Sequence, residues 1–155
     1  MIKIMSIFKE RERCCEATFL NGEPYWHAYT SGKDTPLLFS LEEDFVFVMN
    51  VIAQAAALFT EVRIIAFEVM NNHFHFVVSA DEKAVLTFWG FVRKRLVRSF
   101  PLMKGLQITI KPIGDLGALR NNIVYTNRNG YVADSSHTPF SYPWGDRTVL
   151  FFGQA

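Results

Sequence analysis

The chain has 155 residues, half of them hydrophobic, a fifth charged, with fifteen phenylalanines and a net charge of +1. That is enough for one domain with one sizeable core, and too neutral for overall charge to imply a nucleic-acid partner, which would need a local basic patch. Cys14 and Cys15 are adjacent and stand alone, which excludes a disulfide framework and points to a reducing, cytoplasmic compartment; no signal peptide or membrane-length apolar run is read, so no membrane is expected as a partner.

In chain order, Cys14 to Leu20 and Tyr25 to Thr30 read as strands joined by the turn Asn21-Gly22-Glu23-Pro24, since Asn-Gly between apolar runs is a hairpin signal. A polar loop follows over 31–36. Ser40-Leu41-Glu42-Glu43 reads as a capping box, opening a helix with Phe45, Val48, Met49, Ile52 and Ala56 on one stripe and an end near Phe59. Val62 to Val69 is a β-branched strand, Met70-Asn71-Asn72 a tight turn, and His73-Phe74-His75-Phe76-Val77-Val78-Ser79 a second strand.

Asp81 caps a second helix, with Val85, Phe88, Trp89, Val92 and Leu96 on its apolar side and Lys83, Lys94 and Arg98 opposite. Pro101 stops it. Leu106 to Ile113 alternates like a strand. Asp115 caps a third helix expected to run through Asn129, with Gly130 as its stop and Tyr131 beyond it. The segment 135–155, rich in Pro, Ser, Gly and aromatics, reads as a tail on a single domain 1–155 whose core is about 14–134. His137 in this tail reads as a surface histidine.

The order strand, helix, strand, strand, helix, strand, helix is that of an α+β, ferredoxin-like split βαβ sandwich. It predicts a four-stranded antiparallel sheet, two helices on one face and an added C-terminal helix. Side chains alternate on a strand, so His73 and His75 share one face while Phe74, Phe76 and Val78 share the other. The phenylalanines are expected under the helices and the histidines on the uncovered face. Paired imidazoles on one face suit a divalent metal, and equally a turn cap and a filled gap. On the third helix, Leu116, Leu119 and Ile123 lie on one side and Ala118, Asn122, Tyr125 and Asn129 on the other, with Tyr125 one turn below Asn129. The run Arg93-Lys94-Arg95-Leu96-Val97-Arg98 is the densest positive cluster, a solvated face or a phosphate contact. The face of Glu68, before the turn, stays open because register across the turn is unknown.

Together these parts resemble the HUH single-tyrosine transposases (IS200-like), and most closely the REP-associated tyrosine transposases. The resemblance runs from Tyr25 to Trp144. It rests on Tyr25-Trp26-His27, Leu38-Phe39, Val62 through Met70, Asn72-His73-Phe74-His75, Tyr125 through Val132 with Asn129 inside, and Tyr142-Pro143-Trp144. The family usually has Pro where Asn71 and Gly130 stand; both are backbone-turn positions.

The resemblance implies an enzyme that cuts and rejoins single-stranded DNA beside a hairpin through a 5′-phosphotyrosine intermediate. Tyr125 would be the nucleophile. His73, His75 and Asn129 would hold Mg²⁺ or Mn²⁺, since a phenol of ordinary pKa about 10 is a poor nucleophile without help at the phosphate. Lys94, Arg95 and Arg98 are candidate DNA-backbone contacts, and His27 an orienting or DNA-contacting residue. The chain is expected to work as a monomer or a homodimer with shared sites. Two alternatives stand beside this: a non-catalytic or domesticated nucleic-acid-binding module, and another metal enzyme with His27, His73 and His75 as ligands.

Overall fold

A computed structural model of the chain describes residues 24–138 and 141–146. The expected strand 14–20 and the turn at 21–23 lie outside them. The elements are β1 (Tyr25–Thr30), α1 (Glu42–Leu58), β2 (Arg63–Val69), β3 (Phe74–Ser79), α2 (Glu82–Leu96), a 3₁₀ turn (Pro101–Gly105), β4 (Ile108–Ile113) and α3 (Leu116–Ala133). The four strands form one antiparallel sheet in the order β2-β3-β1-β4. This is the expected α+β arrangement: ferredoxin-like strand order with an added C-terminal helix.

The main core lies on one face. Phe74, Phe76 and Val78 pack with Val48, Val51, Ile52 and Ala55 of α1 and with Val85, Phe88, Trp89, Val92 and Leu96 of α2. Rings interlock there: Phe74 meets Trp89 edge-on at 5.3 Å and Phe76 meets Phe88 at 5.9 Å. Asp81 caps α2 as expected, accepting from the Lys83 amide. The cap of α1 differs. Leu41, not Ser40, takes the N-cap position, and the Asp44 carboxylate reaches back to the amides of Ser40 and Leu41 at 2.9 and 3.0 Å. A leucine offers no oxygen, so the acid one turn in satisfies the free N–H groups instead.

The opposite face carries the histidines, and it is not uncovered. α3 lies across it over a second cluster of Tyr25, Ala66, Val77, Ile113 and Leu119, flanked by Ile65, Ala118 and Ile123. Leu116 was expected to pack there with Leu119; it is exposed, and Ala118 turns inward instead. The helix also continues past Gly130 to Ala133, so Tyr131 is helical. Gly130 is not a stop. Its bare Cα gives room to the ring of Tyr142, which a Cβ there would strike. Residues 142–145 are tied across β2: Tyr142 Oη donates to the Val69 carbonyl at 2.8 Å, the Val69 amide to the Trp144 carbonyl at 2.8 Å, and Gly145 bridges Glu68.

Candidate active site

Register decides what meets on the α3 face. In antiparallel pairs, directly opposite residues share a face. His75 stands opposite Tyr29 on β1 and opposite Glu68 on β2; His27 stands opposite Val77 and, on β4, opposite Lys111. His27, Tyr29, His75, Glu68 and Lys111 therefore lie on one surface. An irregularity at Ile65 puts Glu68 there. Ile64 pairs with Val78 but Ala66 with Val77, so one extra residue reverses the parity of β2.

The rings form a connected patch. His27 stacks on Tyr29 at 4.9 Å and on His75 at 5.4 Å, and His73 meets His75 edge-on at 5.0 Å. The Tyr125 ring of α3 stands edge-on to both His75, at 5.4 Å, and His27, at 5.9 Å. Tyr125 is 52% exposed, so its hydroxyl is within reach of a ligand from solvent. The Lys111 ammonium lies 5.3 Å from the Tyr29 ring centre, a cation on the rim of the patch.

His73 is held from one side. Asn72 Nδ2 donates to the carbonyls of Gly32 and Thr35 at 3.1 and 3.0 Å, so its Oδ1 is an acceptor facing His73 Nδ1 at 2.6 Å. His73 Nδ1 must then carry the proton, leaving Nε2 a free lone pair. Gly32 lets the loop come this close, because a Cβ there would meet His73 Nδ1 at 2.7 Å. The turn itself is fixed by the Asn71 carbonyl, which accepts from the amides of Leu38 and Phe39, both at 2.9 Å.

His75 Nδ1 shares a proton with His27 Nε2 across 3.2 Å. Burial, together with the neighbouring His73 and His27, pushes the His75 imidazole down to about 3. Burial lowers His73 and His27 as well, with Lys111 adding to the effect at His27. All three rings are thus neutral near pH 7, the form that donates a lone pair to a metal. Among the described residues no three His, Cys, Asp or Glu side chains group as a metal site.

Asn129 stands one turn from Tyr125 on α3. Its Nδ2 donates to the carbonyls of Tyr125 and Thr126 at 2.9 and 3.1 Å, which leaves Oδ1 as the end of that amide not engaged by the helix. Glu68 is 3% exposed. Burial pushes its carboxyl up to about 7; the Gly130 amide pulls it down, Asp146 pushes it further up, and the Asn129 amide again pulls down.

No family model and no curated protein matches the chain. Among solved structures, a REP-associated tyrosine transposase bound to a REP hairpin is similar with a TM-score of 0.65 over 86% of this chain and 82% of that one, at 13% sequence identity. This chain has the fold of a tyrosine transposase. A structure from Deinococcus radiodurans provisionally described as a transposase has a TM-score of 0.43 over 57% of this chain and 78% of its own, at 15% identity; that overlap adds nothing to the fold assignment.

On this tyrosine transposase fold, His27, His73, His75 and Tyr125 come together on one side of the sheet, with Asn129 one turn further along α3. Lys94, Arg95 and Arg98 do not join them. They sit on or just after α2, which covers the other face; Arg95 instead donates to Gln54 Oε1 at 3.0 Å. Sequence reasoning passed over Tyr29, Lys111 and Asn72. Tyr29 was two residues from His27 and readable by alternation; Lys111 required the β1–β4 register, and Asn72 the loop it fastens.

Proposed function

We propose that the chain is a transposase-type enzyme that nicks and rejoins single-stranded DNA beside a hairpin, with Tyr125 as nucleophile. The edge-on placement of Tyr125 against His75 and His27 carries this reading: an exposed phenol stands beside neutral imidazoles. The transposase of this fold bound to a REP hairpin supports the choice of substrate class.

In the proposed reaction Tyr125 Oη attacks the scissile phosphorus. The Oη–P bond forms, the P–O3′ bond breaks, the phenol proton is given up and the 3′ oxygen takes one from solvent. A 5′-phosphotyrosine results, and its reversal by a 3′-OH rejoins the strand without ATP. His73 Nε2, His75 Nε2 and Asn129 Oδ1 would be the donor set, a chemistry that suits Mg²⁺ or Mn²⁺. When bound, such an ion would neutralise charge on the scissile phosphate. His27 acts on His75 through their shared proton, fixing ring orientation. Lys111 and Tyr29 offer a phosphate contact and a stacking surface along β1 and β4.

The test is Tyr125→Phe with a hairpin-flanked single-stranded oligonucleotide and Mn²⁺. The parent should form a covalent adduct that mass spectrometry places on Tyr125. The variant should fold, bind the oligonucleotide and form none. An adduct on Tyr131, or full cleavage by the variant, refutes the assignment.

A further inference from the structure

We propose that Glu68 is a positioning residue for this reaction: from β2, its carboxylate holds the turn of α3 that carries Asn129, and so sets where Asn129 and Tyr125 stand over the histidines. The inference rests on the function proposed above.

Buried acids are rare and costly without partners. The neighbours of Glu68 on β2 are Ala66, Phe67 and Val69, all buried and apolar, so packing alone gives no reason for a carboxylate there. Its partners give one. Glu68 Oε2 accepts from the Gly130 amide at 2.9 Å, and the Asn129 amide also donates to this carboxyl.

Within a helix these two N–H groups would serve the carbonyls four residues back, which are those of Tyr125 and Thr126. Those carbonyls accept from Asn129 Nδ2 as well. The carboxylate and the Asn129 side chain thus act as a pair. The first meets the Asn129 and Gly130 amides from β2, and the second adds a donor to the carbonyls one turn back. The Asn129 amide nitrogen faces the helix and its oxygen is the other end, while Glu68 holds the backbone of the same turn. Gly130 also makes room on this turn for the Tyr142 ring, which a Cβ there would strike. Glu68 also stands directly opposite His75, so one cross-strand pair fixes both halves of the site.

The experiment compares Glu68→Ala, which removes the acceptor, with Glu68→Gln, which keeps one. Three quantities are followed: the rate of covalent adduct formation on a hairpin-flanked oligonucleotide with Mn²⁺, the affinity for that oligonucleotide, and the backbone amide resonances of Asn129 and Gly130 without metal. Glu68→Ala should slow the adduct by roughly 10- to 100-fold, the scale for loss of a ligand's supporting partner. Affinity should hold within about twofold, a split that general destabilisation does not produce. Glu68→Gln should recover most of the rate. Both variants should move the Asn129 and Gly130 resonances while those of α1 stay in place.

An adduct rate in Glu68→Ala equal to the parent's, or unmoved Asn129 and Gly130 resonances, overturns the proposal. If Glu68→Ala fails to fold, Glu68→Gln against the parent decides by the same resonances. A parent that forms no adduct refutes the proposed function, and the resonances still report whether Glu68 holds the turn.

Discussion

His73 enters the site with one ring nitrogen already committed, and His75 does not. The Asn72 amide dictates the His73 tautomer, whereas the proton between His75 and His27 has two resting places. Only with the proton on His75 Nδ1 is His75 Nε2 a free lone pair. Adding Mg²⁺ to nitrogen-labelled protein should therefore shift His75 Nε2 and leave His73 Nδ1 protonated. A His75 spectrum unchanged by saturating metal would remove it from the ligand set. The residues with a spacing rule were legible in the sequence: His73 and His75 by alternation, Tyr125 and Asn129 by the helical turn. Glu68 was not, because the extra residue at Ile65 inverts the strand's parity without any glycine or proline to announce it.

At the scale of elements, α3 departs furthest from its sequence pattern. Its start was legible in Asp115, which accepts from the Ala118 amide at 2.7 Å. Its end was not, because a glycine followed by polar residues imitates a stop while the contact that explains Gly130 comes from Tyr142, twelve positions on. Gly130→Ala tests that contact. In an open helix the change would add up to about 1 kcal/mol of stability. Here the new methyl meets the base of the Tyr142 ring rather than a flexible tip, and overpacking costs about 1–3 kcal/mol. Denaturant melts should show a net loss, and a gain in stability would mean that Tyr142 does not seat on α3. α1 and α2 were more legible, because their apolar stripes face a single broad core.

For the whole molecule, the buried titratable groups set opposing slopes. The folded chain holds the Glu68 proton up to about pH 7, against an ordinary value of 4.5, so this group lowers stability as pH rises through that window. The imidazoles act the other way. Their folded values lie below 6.5, so their contribution is full above pH 6.5 and is lost as pH falls. His75, displaced to about 3, offsets Glu68, and His27 and His73 decide the sign. Thermal melts in chelator should show stability falling from pH 6.5 to pH 5, because the unfolded chain takes up protons that the buried imidazoles resist. A chain more stable at pH 5 would contradict neutral, buried imidazoles. The sheet order was legible from the succession of elements, but the covering of its second face was not, since an added helix has no fixed place in the split βαβ pattern.

The strand order has a consequence for how the proposed activity would be lost. His27 and His75 occupy β1 and β3, the two strands with partners on both sides, over the larger core. Tyr125 rides on α3, fastened through the smaller cluster, the Glu68 hold and the Tyr142 seat. Mild heat or denaturant should lift α3 from the sheet before the imidazoles part from one another. A form then exists that keeps its histidines in register with the phenol out of reach. In titrations with denaturant, cleavage should disappear at a lower concentration than the β-sheet signal, and the amides of α3 should exchange ahead of those in β1 and β3.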